Sequence, residues 1–182
     1  MGNKQYLDET ERCYFVSFGE AKWIAHGVME KPPVDVYAFN CSKVGEFVYL
    51  SKGMEDGGYR ELAIICRDEA KWPVDMIQAV AAYQIGLGEN LGELETISFE
   101  EATKEAGSFR SVIILGMRLL DFDEEKLARD LGLKNSPLLV FPITEKELDY
   151  ALSNGQAELV KAMAGSLEPY ASINRVSIID QR

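Results

Sequence analysis

His26 is the only histidine in the chain, so proton transfer or metal binding must manage with one imidazole. That excludes a His-His metal pair and an HExxH helix. A Ser-His-Asp or Cys-His arrangement would have to recruit His26, which sits in Trp23-Ile24-Ala25-His26-Gly27 with no GxSxG elbow nearby. It is expected to be a structural or surface histidine. Cys13, Cys41 and Cys66 are odd in number, widely spaced and without a CxxC pair. They read as reduced thiols buried beside apolar neighbours rather than as disulfide partners or zinc ligands.

Two glycine-rich stretches invite a nucleotide reading, and both fail it. Gly86-Leu87-Gly88-Glu89-Asn90-Leu91-Gly92 misses GxGxxG by one residue, follows a helix rather than a strand, and puts Glu89 where a pyrophosphate would approach. Gly53 to Gly58 lacks GK[ST] and contains Glu55 and Asp56, which repel phosphate. Carboxylate pairs such as Glu100-Glu101 have the chemistry for acid–base work, but adjacent acids on helices or loops are far more often solvated surface. No catalytic residue, cofactor site or metal site is therefore expected.

The elements that would position these residues follow from periodicity. Lys4 to Ser17 can form a helix, with Tyr6, Cys13 and Tyr14 as buried candidates and Gly19 after it. Residues 34–39, 47–50, 61–66, 111–115, 137–142 and 175–179 are rich in β formers and read as strands. Pro73 suits the first turn of a helix, Ile77, Val80, Ala81, Gln84 and Ile85 follow helical spacing, and Gly86 and Gly88 are expected to stop it. Asp123 reads as a helix cap. Thr144-Glu145-Lys146-Glu147 is a capping box, and Leu148, Ala151 and Leu152 open the helix face behind it. Asn154-Gly155 interrupts that helix, and Leu159, Val160 and Met163 continue one beyond. Gly53 to Gly58 is read as the connection between two antiparallel strands, with the glycine of Asp56-Gly57 supplying positive φ. Hairpin-like strands interspersed with separate helices give an α+β class: a mixed, largely antiparallel sheet with helices packed against it, in one domain spanning residues 1–182.

Composition narrows the function classes. With 182 residues the chain can bury a core without a metal or disulfide. No apolar run is long enough for a membrane span and the first residues have no signal-peptide core, so a cytoplasmic location is expected. The net charge of −11 repels nucleic acid and anionic lipid and favours a basic protein partner. From Glu89 to Glu105 the acids Glu89, Glu93, Glu95, Glu100, Glu101 and Glu105 face only Lys104. These six residues are the expected partner face.

The motifs in order add a family resemblance. "VDVYAF", "VYLSKGM", "YRELAIICR", "WPVDMIQAVAAY", "LGELETISF" and "LLVFPITEKELDYALSNGQAELVKAM" together resemble the Suppressor of fused-like (SUFU) domain of the stand-alone bacterial type, over about residues 34–165. The matching positions are Asp35 in an early strand, Gly53-Met54 at a strand end, Glu61 in the next strand, Trp72-Pro73 at a helix start, and Pro142, Thr144 and Glu147 at a helix entry. The resemblance implies a non-enzymatic α+β domain that binds proteins, with these motif residues structural. The animal member clamps a transcription factor of the Hedgehog pathway, in part by strand addition. Bacterial relatives resemble immunity proteins that neutralise a polymorphic toxin domain. The implied function is such an immunity protein. The alternatives are a small hydrolase or transferase using cleft carboxylates, or a regulator of an endogenous protein.

Overall fold

The computed structural model describes residues 9–30, 32–41, 46–67, 69–99, 109–164 and 175–181. In chain order these form α1 (Glu9–Phe18), β1 (Trp23–Glu30), β2 (Pro33–Cys41), β3 (Glu46–Lys52), β4 (Leu62–Cys66), α2 (Trp72–Leu87), β5 (Thr96–Ser98), β6 (Ser111–Gly116), α3 (Glu124–Asp130), β7 (Leu138–Ile143), α4 (Glu145–Asn154) and α5 (Gln156–Ala164), with short 3-10 turns between and after them. The strands make one seven-stranded sheet in the order β1-β2-β3-β4-β7-β6-β5. Every pairing is antiparallel except β4 with β7, which is parallel. The α+β class read from the sequence is the one observed.

Alternation along each strand sorts the core onto two faces. Val34, Val36, Ala38, Ile64, Val112, Ile114, Leu138 and Val140 point to the face covered by Trp72, Met76, Ile77 and Val80 of α2. Tyr37, Phe39, Ile65, Ile113, Leu115, Leu139 and Phe141 point to the other face, covered by Tyr14 of α1, Leu127 of α3, Ala151 of α4 and Leu159 of α5. The central strands β4, β7 and β6 are buried along their whole length, which is why their sequences are unbroken apolar runs. Pro142 is tolerated in β7 because β4 pairs only with Leu138 and Leu139. Beyond that point the Pro142 carbonyl accepts a hydrogen bond from Arg175 Nη2 at 2.9 Å.

Local chemistry sets the helix ends. Asp123 accepts from the Lys126 N–H, and both halves of the Thr144–Glu147 capping box are present. Gly88, at φ 73°, caps α2, while Gly86 lies inside the helix rather than ending it. Several expectations are corrected. Residues 175–179 are not a strand: Ile178–Gln181 form a 3-10 turn held against α4. Leu152 is exposed, so it does not belong to the α4 core face. The β3–β4 connection is a 3-10 turn over Glu55–Gly57, with positive φ at Gly53 and Gly58 rather than Gly57. β1 and β5 were not read from the sequence. Cys66 is buried and Cys13 only partly so. The side chain of Cys41 lies outside the described residues, as does Tyr6.

Candidate functional site

The motif residues Asp35, Gly53, Met54 and Glu61 converge at one end of β2, β3 and β4. Gly53 has φ 110°, and a Cβ there would sit 2.1 Å from the Pro33 carbonyl oxygen, so only glycine lets β3 pass the start of β2. The buried Glu61 carboxylate then organises the turn that follows. It accepts hydrogen bonds from the Ser51 hydroxyl, from the Gly53 N–H at 2.9 Å and from the Glu55 N–H at 3.1 Å. Ser51 Oγ in turn accepts the Leu62 N–H. Burial pushes the Glu61 carboxyl above its ordinary range, and the three donors pull against that rise. Met54 is fully buried beside it. Asp35 works on the other side, accepting from the Gly27 N–H at 2.7 Å and meeting His26 Nδ1 at 3.0 Å. It thereby pins the register shift of β1 between Ala25 and Met29. His26 is exposed, as the sequence reading held.

A cleft of about 290 Å³ opens over this brace, lined by Asp35, Lys52, Glu55, Asp56 and Glu61 among others. Four carboxylates in a cleft are the arrangement an acid–base enzyme would need, but three of them are already engaged. Glu61 and Asp35 hold the backbone as described, and Glu55 Oε1 accepts from the N–H groups of Lys134 and Asn135. Lys52 pairs with Glu11 at 3.7 Å. Carboxylate oxygens committed to backbone N–H groups in this way are poorly placed to exchange protons with a substrate. Among the described residues no group of three or more His, Cys, Asp or Glu is arranged to hold a metal.

The second set of motif residues anchors helices. Trp72 is buried at the start of α2 and tilts against Phe109, and Pro73 occupies the first turn, where its missing N–H costs nothing. Thr144 caps α4 through Glu147, whose carboxylate also receives Arg175 and the Ile178 N–H. Burial raises the Glu147 pKa, but the Arg175 hydrogen bonds and charge, with the Thr144 and Ile178 N–H groups, outweigh it and hold the carboxyl below its usual range.

The acidic segment divides. Glu100, Glu101 and Glu105 lie outside the described residues. Glu89 is exposed at the end of α2 and Glu95 is exposed before β5, its Oε1 accepting the Gly92 N–H at 3.0 Å. Glu93 is not free to face a partner. Its carboxylate forms a two-pronged pair with Arg118, which also reaches Glu124 Oε2 at 3.2 Å. The Arg118 hydrogen bond lowers the Glu93 pKa, and the same contact raises that of Arg118. Gly116 makes room for this trio, since a Cβ there would meet all three side chains within 3.0 Å. Between Glu93 and Glu95, Leu94 is held at φ 71° by its N–H to the Ile114 carbonyl.

Two further surfaces come from the fold, one of them an edge strand of the kind expected as a candidate for partner binding. β1 is an end strand of the sheet, and its outer edge is where an added strand would pair. Tyr83 and Leu87, one helical turn apart on α2, are 44% and 49% exposed. The strand β1 itself and the open face of α2 were not read from the sequence, because a half-buried strand beginning with Trp23 and an apolar helix each look like core. No helix among the described residues is long and apolar enough to cross a membrane.

The comparisons with known proteins bear on this geometry. The family model described as Suppressor of fused protein (SUFU) matches residues 30–175. A SUFU (suppressor of fused protein) homolog from Neisseria gonorrhoeae FA 1090 shares the fold, with a TM-score of 0.67 at 19% identity over 93% of this chain and 94% of that one. A chain of the Sufu-Fu complex crystal structure matches with a TM-score of 0.58 at 10% identity, covering 92% of this chain and 88% of that one. Drosophila Suppressor of Fused matches with a TM-score of 0.56 at 11% identity over 81% of this chain, which spans 43% of that longer protein. No curated protein matches the chain.

Proposed function

The chain belongs to the Suppressor of fused family, and from that premise we propose that it is a non-enzymatic protein-binding domain: an immunity protein that neutralises a basic polymorphic toxin domain in the cytoplasm by direct binding. The observation that carries the reading is the family match over residues 30–175. One matched structure is itself a complex between two proteins, Sufu and Fu. The net charge of −11 agrees with a basic partner, because opposite net charges steer the encounter and raise the on-rate. Glu89 and Glu95 keep exposed carboxylates for such a partner, whereas that of Glu93 is taken up by Arg118. The engaged carboxylates of the Asp35–Glu61 cleft weigh against the hydrolase or transferase alternative.

The test begins with the neighbouring genes: a toxin domain encoded there is purified and its binding to this chain measured. A stoichiometric complex that abolishes the toxin's activity is expected, with an association rate that falls as salt is raised. Absence of binding would overturn the immunity reading and leave a regulator of an endogenous protein in its place. A rate indifferent to salt would remove the steering argument alone.

A further inference from the structure

The outward face of α2 is unusual for this chain. Charged residues make up 27% of the sequence, yet none occurs from Met76 to Leu87. The inward residues Met76, Ile77, Val80, Ala81 and Gln84 are buried, so an apolar sequence is required there. Nothing in the fold requires it on the other side. Gln78, Ala82 and Gly86, spaced four apart, are exposed, and Tyr83 and Leu87 flank them. Residues four apart form one of the ridges by which helices pack.

Gly86 is the decisive position. It lies in the helix with a negative φ, and a Cβ there would meet nothing within 4 Å. Among the described residues no turn, close contact or left-handed backbone calls for glycine there, although glycine in a helix is less stable than alanine. A small residue at an open position is explained by an approach from outside the chain. An uncharged centre with an aromatic residue, rimmed by charge, is the anatomy of a protein interface. The rim carries Lys71 and Asp75, one turn apart, at one end of the face and Glu89 just beyond the other. A second copy would bring two net charges of −11 together, whereas a basic molecule is drawn to the chain and to the exposed Glu89 at the end of this face.

We propose that this face of α2 docks an amphipathic helix of a basic protein partner, with Gly86 at the point of closest backbone approach and Tyr83 and Leu87 as apolar anchors. The inference rests on the protein-binding reading and adds to it the surface and the partner's secondary structure.

The experiment titrates the isotope-labelled full chain with four peptides and follows amide shifts. These are a Leu/Lys amphipathic helical peptide, a scrambled peptide of the same composition, a Leu/Glu helical counterpart and a strand-forming Thr/Lys peptide. Saturable shifts along α2 and Glu89 with the Leu/Lys helix alone are expected. Leu87→Asp should weaken that binding about tenfold or more, as loss of an apolar anchor does. Gly86→Ala should raise the melting temperature of the free chain while weakening the peptide, a combination that a purely structural glycine would not give. Equal binding of the scrambled or Leu/Glu peptide would overturn the proposal, as would a Gly86→Ala chain that binds as well as the parent. Shifts confined to β1 with the Thr/Lys peptide would overturn the α2 assignment and leave protein binding intact. A dimer in sedimentation that Leu87→Asp dissolves would overturn it by making a second copy the occupant.

Discussion

Arg175 lays both terminal nitrogens on the carboxylate of Glu147, Nη1 on Oε1 and Nη2 on Oε2, each at 2.6 Å, with the pair 7% and 0% exposed. The guanidinium also lies 5.2 Å from the Phe109 ring centre and 5.4 Å from that of Phe141. One carboxylate thus caps α4, neutralises a buried cation and receives the Ile178 N–H of the last 3-10 turn. Removing one partner strands the other charge, so Arg175→Ala or Glu147→Ala should cost about 3–5 kcal/mol in urea unfolding. Arg175→Met with Glu147→Leu, which removes both charges, should cost less than either single change. A double variant as unstable as the sum of the singles would contradict this.

The same pair sets a pH dependence. The folded Glu147 pKa lies below its unfolded value, so the stabilisation is fully present above the ordinary glutamate range. It is lost as pH falls through the folded pKa. Unfolding free energy measured from neutral pH downward should therefore fall, and Glu147→Gln should flatten that part of the profile.

Glu61 has the opposite sign. Its folded pKa is raised by burial, so its contribution is most favourable below the unfolded pKa and diminishes as pH rises through the folded one. Glu61→Leu should nevertheless destabilise by about 3 kcal/mol at neutral pH. It leaves the N–H groups of Gly53 and Glu55 without their acceptor, and each such loss costs about 1–3 kcal/mol. Glu61→Gln, which keeps one carbonyl oxygen for those two donors, should cost less. Chemical denaturation of the two variants at several pH values checks both statements.

A single added methyl should act with opposite sign at two glycines. Gly53→Ala forces a Cβ against the Pro33 carbonyl at positive φ and should lower stability by at least about 2 kcal/mol. Gly86→Ala enters open space in a helix and should raise it by about 0.5–1 kcal/mol. Thermal unfolding of the two variants side by side reads the difference directly.

Charge on the acidic loop should govern association more than stability. Glu89→Gln with Glu95→Gln removes two exposed carboxylates and should shift stability by no more than about 0.5 kcal/mol. The association rate with a basic partner should fall and its salt dependence should weaken. Stopped-flow association at two ionic strengths measures both.

How much could be read beforehand depended on range along the chain. The capping box at Thr144–Glu147 and the Asp123 cap act over three residues, so the sequence contains the whole interaction. The apolar runs of β4, β6 and β7 read as strands because burial on both faces removes every polar position. β1 escaped notice because its half-buried residues and its irregular pairing to β2 blur the alternation. The 175–179 segment has the composition of a strand but docks instead through Arg175 and Ile178, two contacts to a glutamate far away in sequence.

The sequence by itself determined the α+β class, the helix caps, the acidic balance and the ordered motif of a Suppressor of fused domain, because propensity, periodicity and capping are local properties. Only the tertiary structure decided which charges remain available and which surfaces stay open. Glu93 is taken by Arg118, 25 residues on, because β5 and β6 pair and bring their ends together. Glu61 and Asp35 become braces because three strands end at one place. The free face of α2 exists because a helix of uniformly apolar sequence can bury only the side that meets the sheet.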